Sequence, residues 1–127
     1  MKTEKKIVGV IGGMGPLATV DLYRKIVEHT LADCDQAHMR TIIDSNTNIP
    51  DRTAALLSGG ESPVRELQSS ARLLEQAGAQ VLVMPCHTAH CFYDEVQAAV
   101  HVPVLNMIEL TVQELKRRGV ARAGLLA

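Results

Sequence analysis

The chain has 127 residues, 46% of them hydrophobic and 21% charged, with a formal net charge of -1. That size and apolar content suit one ordinary globular domain, and a near-neutral balance excludes the basic excess of a dedicated nucleic-acid binder. Aromatic residues are only 2% of the chain, too few for base-stacking platforms, and no apolar window is long enough to span a bilayer.

The start, "MKTEKKIVGVIGGMGPLATV", loosely imitates a signal peptide, but its glycines and Pro16 fit a strand, turn and helix better. "KIVGVI" (6–11) is a β-branched apolar run of the kind found in buried parallel strands. "GGMGP" then turns the chain, and Pro16 suits the first helical position, where its missing N–H costs nothing. Apolar residues recur at near-helical spacing from Leu17 to Leu31 and predict the first helix. "MRTIID" (39–44) reads as a second strand, followed by the polar loop "SNTNIPDRT".

"ALLSGGE" begins with a short helical turn that breaks at Gly59 and Gly60. Ser62 and Pro63 open a further helix, with Gly78 as its left-handed closing residue. "QVLVMP" is the third strand, 88–100 a helix, "VPVLN" a fourth strand and 107–119 a helix closed by Gly119. "ARAGLLA" reads as the opening of a fifth strand. Apolar strands alternating with helices define an α/β fold, a parallel sheet with helices on both faces. In such sheets ligands bind beyond the carboxyl ends of the strands, where "GGMGP", "DSNTNIPDRT" and "PCHTAH" converge.

"GMGPLA" has the form of a dinucleotide fingerprint, and Asp44 stands where a ribose contact would. Pro16 removes a donor that pyrophosphate would need, so a tight turn near some small ligand fits better. Cys86 follows a strand directly and precedes a helix near Thr88, whose N–H groups favour thiolate and could hold a carboxylate. An inert, buried cysteine is the competing reading. Cys91 reads as a core-facing small hydrophobe and Cys34 as incidental. An odd count of three cysteines without framework spacing points to reduced thiols and a cytoplasmic protein. His87 and His90 raise a zinc reading, which adjacent residues satisfy only with distortion, and His90 could instead serve as base in a thiol hydrolase or lyase. Arg52, in "IPDRT", suits bidentate capture of a carboxylate, with Asn46, Thr47 and Asn48 offering further hydrogen bonds. A non-catalytic dicarboxylate-binding module would use the same groups without turnover.

Together "IGGMGPLATVDLYRKI", "IPDRTAALL" and "VMPCHTAH" resemble, in order and spacing, the aspartate/glutamate racemase family, whose members work without pyridoxal phosphate or another cofactor. The resemblance covers the whole chain. It implies a two-domain, pseudo-symmetric enzyme of flavodoxin-like halves, with one cysteine per domain facing opposite sides of the substrate α-carbon. Cys86 matches the first cysteine, and Thr88 the threonine that holds the α-carboxylate. Arg52 resembles the arginine that grips the side-chain carboxylate, and Met14 lies in the turn lining the pocket. The implied ligand is a small acidic amino acid or dicarboxylate, with no nucleic acid and no membrane as partner.

Two departures stand out. The family's usual asparagine after the cysteine is His87 here, a bulkier group that bears on substrate fit. The second cysteine motif is absent, and neither Cys34 nor Cys91 matches it. On this reading 1–105 form the N-terminal domain and 106–127 the start of a truncated second one. The chain alone would then be weak or inactive, unless two copies pair as a homodimer across the site.

Overall fold

A computed structural model describes residues 4–126. Three parallel strands, β1 (Val8–Gly12), β2 (Thr41–Ser45) and β3 (Val81–Val83), form a sheet in the order β2-β1-β3. The register pairs Val8 with Thr41 on one side and with Val81 on the other. Between and after them run α1 (Pro16–Glu28), α2 (Arg52–Leu57), α3 (Val64–Gln76), α4 (Tyr93–Ala98) and α5 (Met107–Arg117). The expected α/β architecture is present.

β1 is apolar throughout and buried at all five positions, as befits the central strand of a parallel sheet. Ile11, Leu67, Leu74, Leu82, Met84 and Val96 are fully buried and join α3 and α4 to one sheet face. Each such side chain stabilises the fold by about 1.5–3 kcal/mol. The opposite face is covered less. α1 buries only Thr19, and α5 buries no residue. Leu17, Val20 and Val27 of α1 are exposed instead, as is Leu31 just beyond the helix end. A largely apolar groove of about 520 Å³ runs between Leu22 of α1, Val83 at the end of β3 with Pro85 after it, and Leu110 and Leu115 of α5.

Helix ends follow local chemistry. Asp51 caps α2 by accepting from the Ala54 N–H at 3.0 Å, and Asn106 caps α5 by accepting from Ile108 and Glu109. Gly78 closes α3 at φ +103°, a conformation that side chains disfavour.

Four sequence expectations need correction. α1 ends at Glu28 rather than Leu31. The single helix expected over 88–100 is a 3₁₀ turn (Thr88–Phe92) followed by the short α4. The fourth strand shrinks to one parallel bridge between Val104 and Leu82. Pro103 lacks an N–H, the Glu75 carboxylate takes the His101 and Val102 N–H groups, and the Gln97 amide takes Val104 N and Val102 O. Side chains thus satisfy groups that a longer ladder would use. Residues 121–126, read as the opening of a fifth strand, form no strand; the last residue of that run, Ala127, lies outside the described residues.

Candidate active site

The chain runs from β1 to β2 on one side and then crosses to β3 on the other. This reversal makes the carboxyl ends of β1 and β3 the topological switch point, where the crevice of open α/β sheets usually takes its ligand. The loops bounding it carry Met14 and Cys86.

The first loop is held from within. Gly13 adopts φ +93°, and any Cβ there would lie 2.5 Å from the Asn46 backbone. Thr19 accepts from the Gly13 N–H at 3.0 Å and donates to the Gly15 carbonyl at 3.2 Å. The Gly13 donor that a pyrophosphate would need is therefore used inside the loop. Met14 turns inward and is buried in the core cluster, so only its backbone borders the crevice.

Asn46 follows β2. Its Nδ2 donates to Glu66 Oε2 at 3.1 Å and to Ser70 Oγ at 3.0 Å, while its Oδ1 accepts from the Asn48 N–H. Both amide hydrogens are spent on α3, so the side chain braces the loop and has no donor left for a ligand. Arg52, expected in a loop, is the first residue of α2. Its Nη1 donates to the Ile49 and Pro50 carbonyls at 3.2 and 3.0 Å, and its Nε is buried with no partner among the described residues. α2 packs against the 3₁₀ turn that follows Cys86, so the arginine's helix and the cysteine's loop are neighbours.

Cys86 is half-buried, packed against the core on one side and open on the other. Its N–H donates to the Met84 carbonyl at 2.9 Å, and its Sγ lies 3.3 Å from Thr88 Oγ1. His87 and Thr88 are exposed. Cys91 is exposed too, which overturns its reading as a core hydrophobe: the 3₁₀ turn rotates it outward. Cys34 is also exposed.

His90 is buried, and backbone engages both its ring nitrogens. Nδ1 lies 2.7 Å from the Cys86 carbonyl, and Nε2 accepts from the Met107 N–H at 3.1 Å. Neither nitrogen is free to serve as a base or to bind zinc, which removes the physical basis of the hydrolase and zinc readings. Beside it Tyr93 donates to the Val104 carbonyl at 2.7 Å, and burial pushes its phenol above the ordinary tyrosine range.

The apolar groove between α1 and α5 meets the cysteine loop at Met84 and Pro85 but is not lined by Cys86. Its hydrocarbon walls would strip water from a charged ligand with little compensation, so the crevice is the better seat for an anion. Sequence reasoning placed Cys86, Thr88 and Arg52 in one region, and the structure gathers their elements there. It missed the bracing roles of Thr19, Asn46 and His90. A threonine three residues after a Gly-Met-Gly-Pro turn and a histidine one turn after the cysteine were the available signals.

The parallel α/β sheet carries a half-open thiol beside the Thr88 hydroxyl, on a loop whose 3₁₀ turn packs against the helix that Arg52 begins. The chain matches the Asp/Glu/hydantoin racemase family over residues 11–127 and belongs to that family. It is 28% identical over 115 residues to the broad specificity amino-acid racemase RacX of Bacillus subtilis (strain 168), covering 86% of this chain and 49% of that one. Among solved structures it resembles the Picrophilus torridus aspartate racemase, with a TM-score of 0.84, 41% identity and coverage of 90% of this chain and 48% of that one. It also resembles PH1733, an aspartate racemase homologue from Pyrococcus horikoshii OT3, with a TM-score of 0.74, 29% identity and coverage of 91% and 50%. The chain spans about half the length of these relatives. Among the described residues no helix is long and apolar enough to cross a membrane.

Proposed function

We propose that Cys86 is the first proton-transfer residue of a cofactor-independent racemase acting on aspartate or glutamate. The carrying observation is the half-open Cys86 thiol 3.3 Å from the Thr88 hydroxyl, at the carboxyl edge of the sheet in a chain of the racemase family. The α-hydrogen of an amino acid is a very weak acid, so a positioned base and stabilisation of the carbanion are both needed. As thiolate, Cys86 takes the α-proton and becomes a thiol, leaving the electron pair on the α-carbon. Thr88 binds the α-carboxylate, and Arg52 holds the distal carboxylate with the part of its guanidinium not spent on Ile49 and Pro50. His87 borders the substrate and bears on its size. Met14 and Asn46 act through the shape of the loops they hold rather than by side-chain contact.

Return of the proton by Cys86 restores the same enantiomer, whereas inversion needs an acid on the opposite face. On this reading 106–127 lead toward the half that supplies it, consistent with an α5 that buries nothing. The exposed apolar residues of α1 favour a homodimer. The setting is cytoplasmic, where cysteines stay reduced.

The test is deuterium incorporation from solvent at the α-carbon of L-aspartate and L-glutamate. This chain should show exchange with retention of configuration, and Cys86→Ala should abolish it. Exchange that survives Cys86→Ala would end the assignment. A second reading, a dicarboxylate-binding module without turnover, draws on the same Arg52, whose buried Nε has no partner among the described residues, and it predicts a raised Tm with malate but no exchange.

A further inference from the structure

Two hydrogen bonds to one imidazole fix its protonation. The Cys86 carbonyl can only accept, so His90 Nδ1, 2.7 Å away, carries hydrogen. The Met107 N–H can only donate, so Nε2, 3.1 Å away, presents its lone pair. One form of histidine satisfies both: the neutral Nδ1–H tautomer. The Nε2–H tautomer sets donor against donor at Met107 and lone pair against lone pair at Cys86. The imidazolium keeps the first bond and breaks the second. The ring also lies nearly parallel to Tyr93, at 7° and 6.5 Å between centroids, and the Tyr93 hydroxyl holds Val104.

We infer that His90 is a positioning residue for Cys86, and the inference rests on the reading of Cys86 as the proton-transfer group. His90 ties the Cys86 carbonyl to the first residue of α5. This sets the backbone torsions after Cys86 and hence the direction in which its sulfur meets Thr88. His90 touches no substrate in this arrangement and moves no proton. It also links the cysteine loop to α5, so the sulfur's aim depends on how α5 is seated.

The experiment uses the full chain with Cys34→Ser and Cys91→Ser, leaving Cys86 as its sole cysteine. Nitrogen-15 NMR of the His90 ring should report the Nδ1–H tautomer. An Nε2–H tautomer overturns the inference. His90→Ala should change the rate of Cys86 alkylation by iodoacetamide about fivefold or more, the equivalent of one lost hydrogen bond. His90→Asn, which keeps a donor near the Nδ1 position, should bring that rate back to within about twofold. An unchanged rate in a folded His90→Ala variant overturns the inference as well. Should His90→Ala fail to fold, the NMR of the unsubstituted ring decides alone. If tautomer and rates come out as expected while no α-deuterium exchange is seen, the positioning role stands and only the proton-transfer reading falls.

Discussion

The Sγ of Cys86 lies 3.3 Å from the Oγ1 of Thr88, within reach of a thiol–hydroxyl hydrogen bond. The hydroxyl orients the sulfur on its open side while the core backs it on the other. Thr88→Val keeps the shape and removes the hydroxyl. Alkylation of Cys86 should then slow by about fivefold, the equivalent of one hydrogen bond, with no loss of folding. Timed mass spectrometry of the modified peptide checks this.

Gly13 and Gly78 separate two costs. Both have positive φ, but a Cβ at Gly78 meets nothing within 4 Å, whereas one at Gly13 strikes the Asn46 backbone. Gly78→Ala should cost about 1 kcal/mol and Gly13→Ala about 3 kcal/mol or more. Urea unfolding followed by circular dichroism compares the two.

Asn46 was expected to touch substrate and instead holds α3. Asn46→Ala removes its bonds to Glu66, Ser70 and Asn48 and should destabilise the fold by about 1–3 kcal/mol. Ser70→Ala, which removes one of those partners, should share part of that loss, so the double variant should be less than additive. A double-mutant cycle in urea measures the coupling.

Glu75 sets a pH dependence. The His101 N–H, joined by that of Val102, holds its carboxyl below the ordinary value of 4.5. A group whose pKa is lower folded than unfolded contributes stability above its unfolded value and loses it as pH falls through the folded one. Stability from this contact should therefore be full above pH 4.5 and fade below it. Glu75→Gln should flatten that part of the acid limb in a series of thermal melts.

The fold was legible where one physical signal dominated. β1, a short apolar run before glycines, and Gly78 at the end of α3 read correctly because burial and positive φ each demand a residue type. Residues 102–106 misled because their apolar pattern says strand, while the donors that would extend the ladder are taken by side chains, Glu75 from far back in the chain and Gln97 from seven residues before Val104. Cys91 misled for a related reason. Its side follows from a 3₁₀ turn of three residues per turn, and α-helical periodicity places it wrongly. At the site, Cys86, Thr88 and Arg52 were visible as residue types in loops at one sheet edge. Asn46 and Met14 were visible as positions but not as orientations, because the Asn46 bond to Ser70 and the core cluster that takes in Met14, with Leu67 and Leu74 of α3, join segments far apart in the chain.

The exposed apolar residues of α1 predict association. Leu17 and Leu31 are 84% and fully exposed, with Val20 and Val27 between them. Sedimentation should show a dimer that Val20→Glu together with Val27→Glu converts to monomer, while Cys86 alkylation proceeds unchanged.

Competitive labelling of Cys86 tests the central claim most directly. Iodoacetamide is applied to the chain with and without L-aspartate, L-glutamate or, as a control, acetate, and the Cys86 peptide is quantified. Protection by an acidic amino acid, lost in Arg52→Ala and not given by acetate, is the predicted result. Equal labelling at saturating aspartate and glutamate would place the substrate elsewhere and contradict the account.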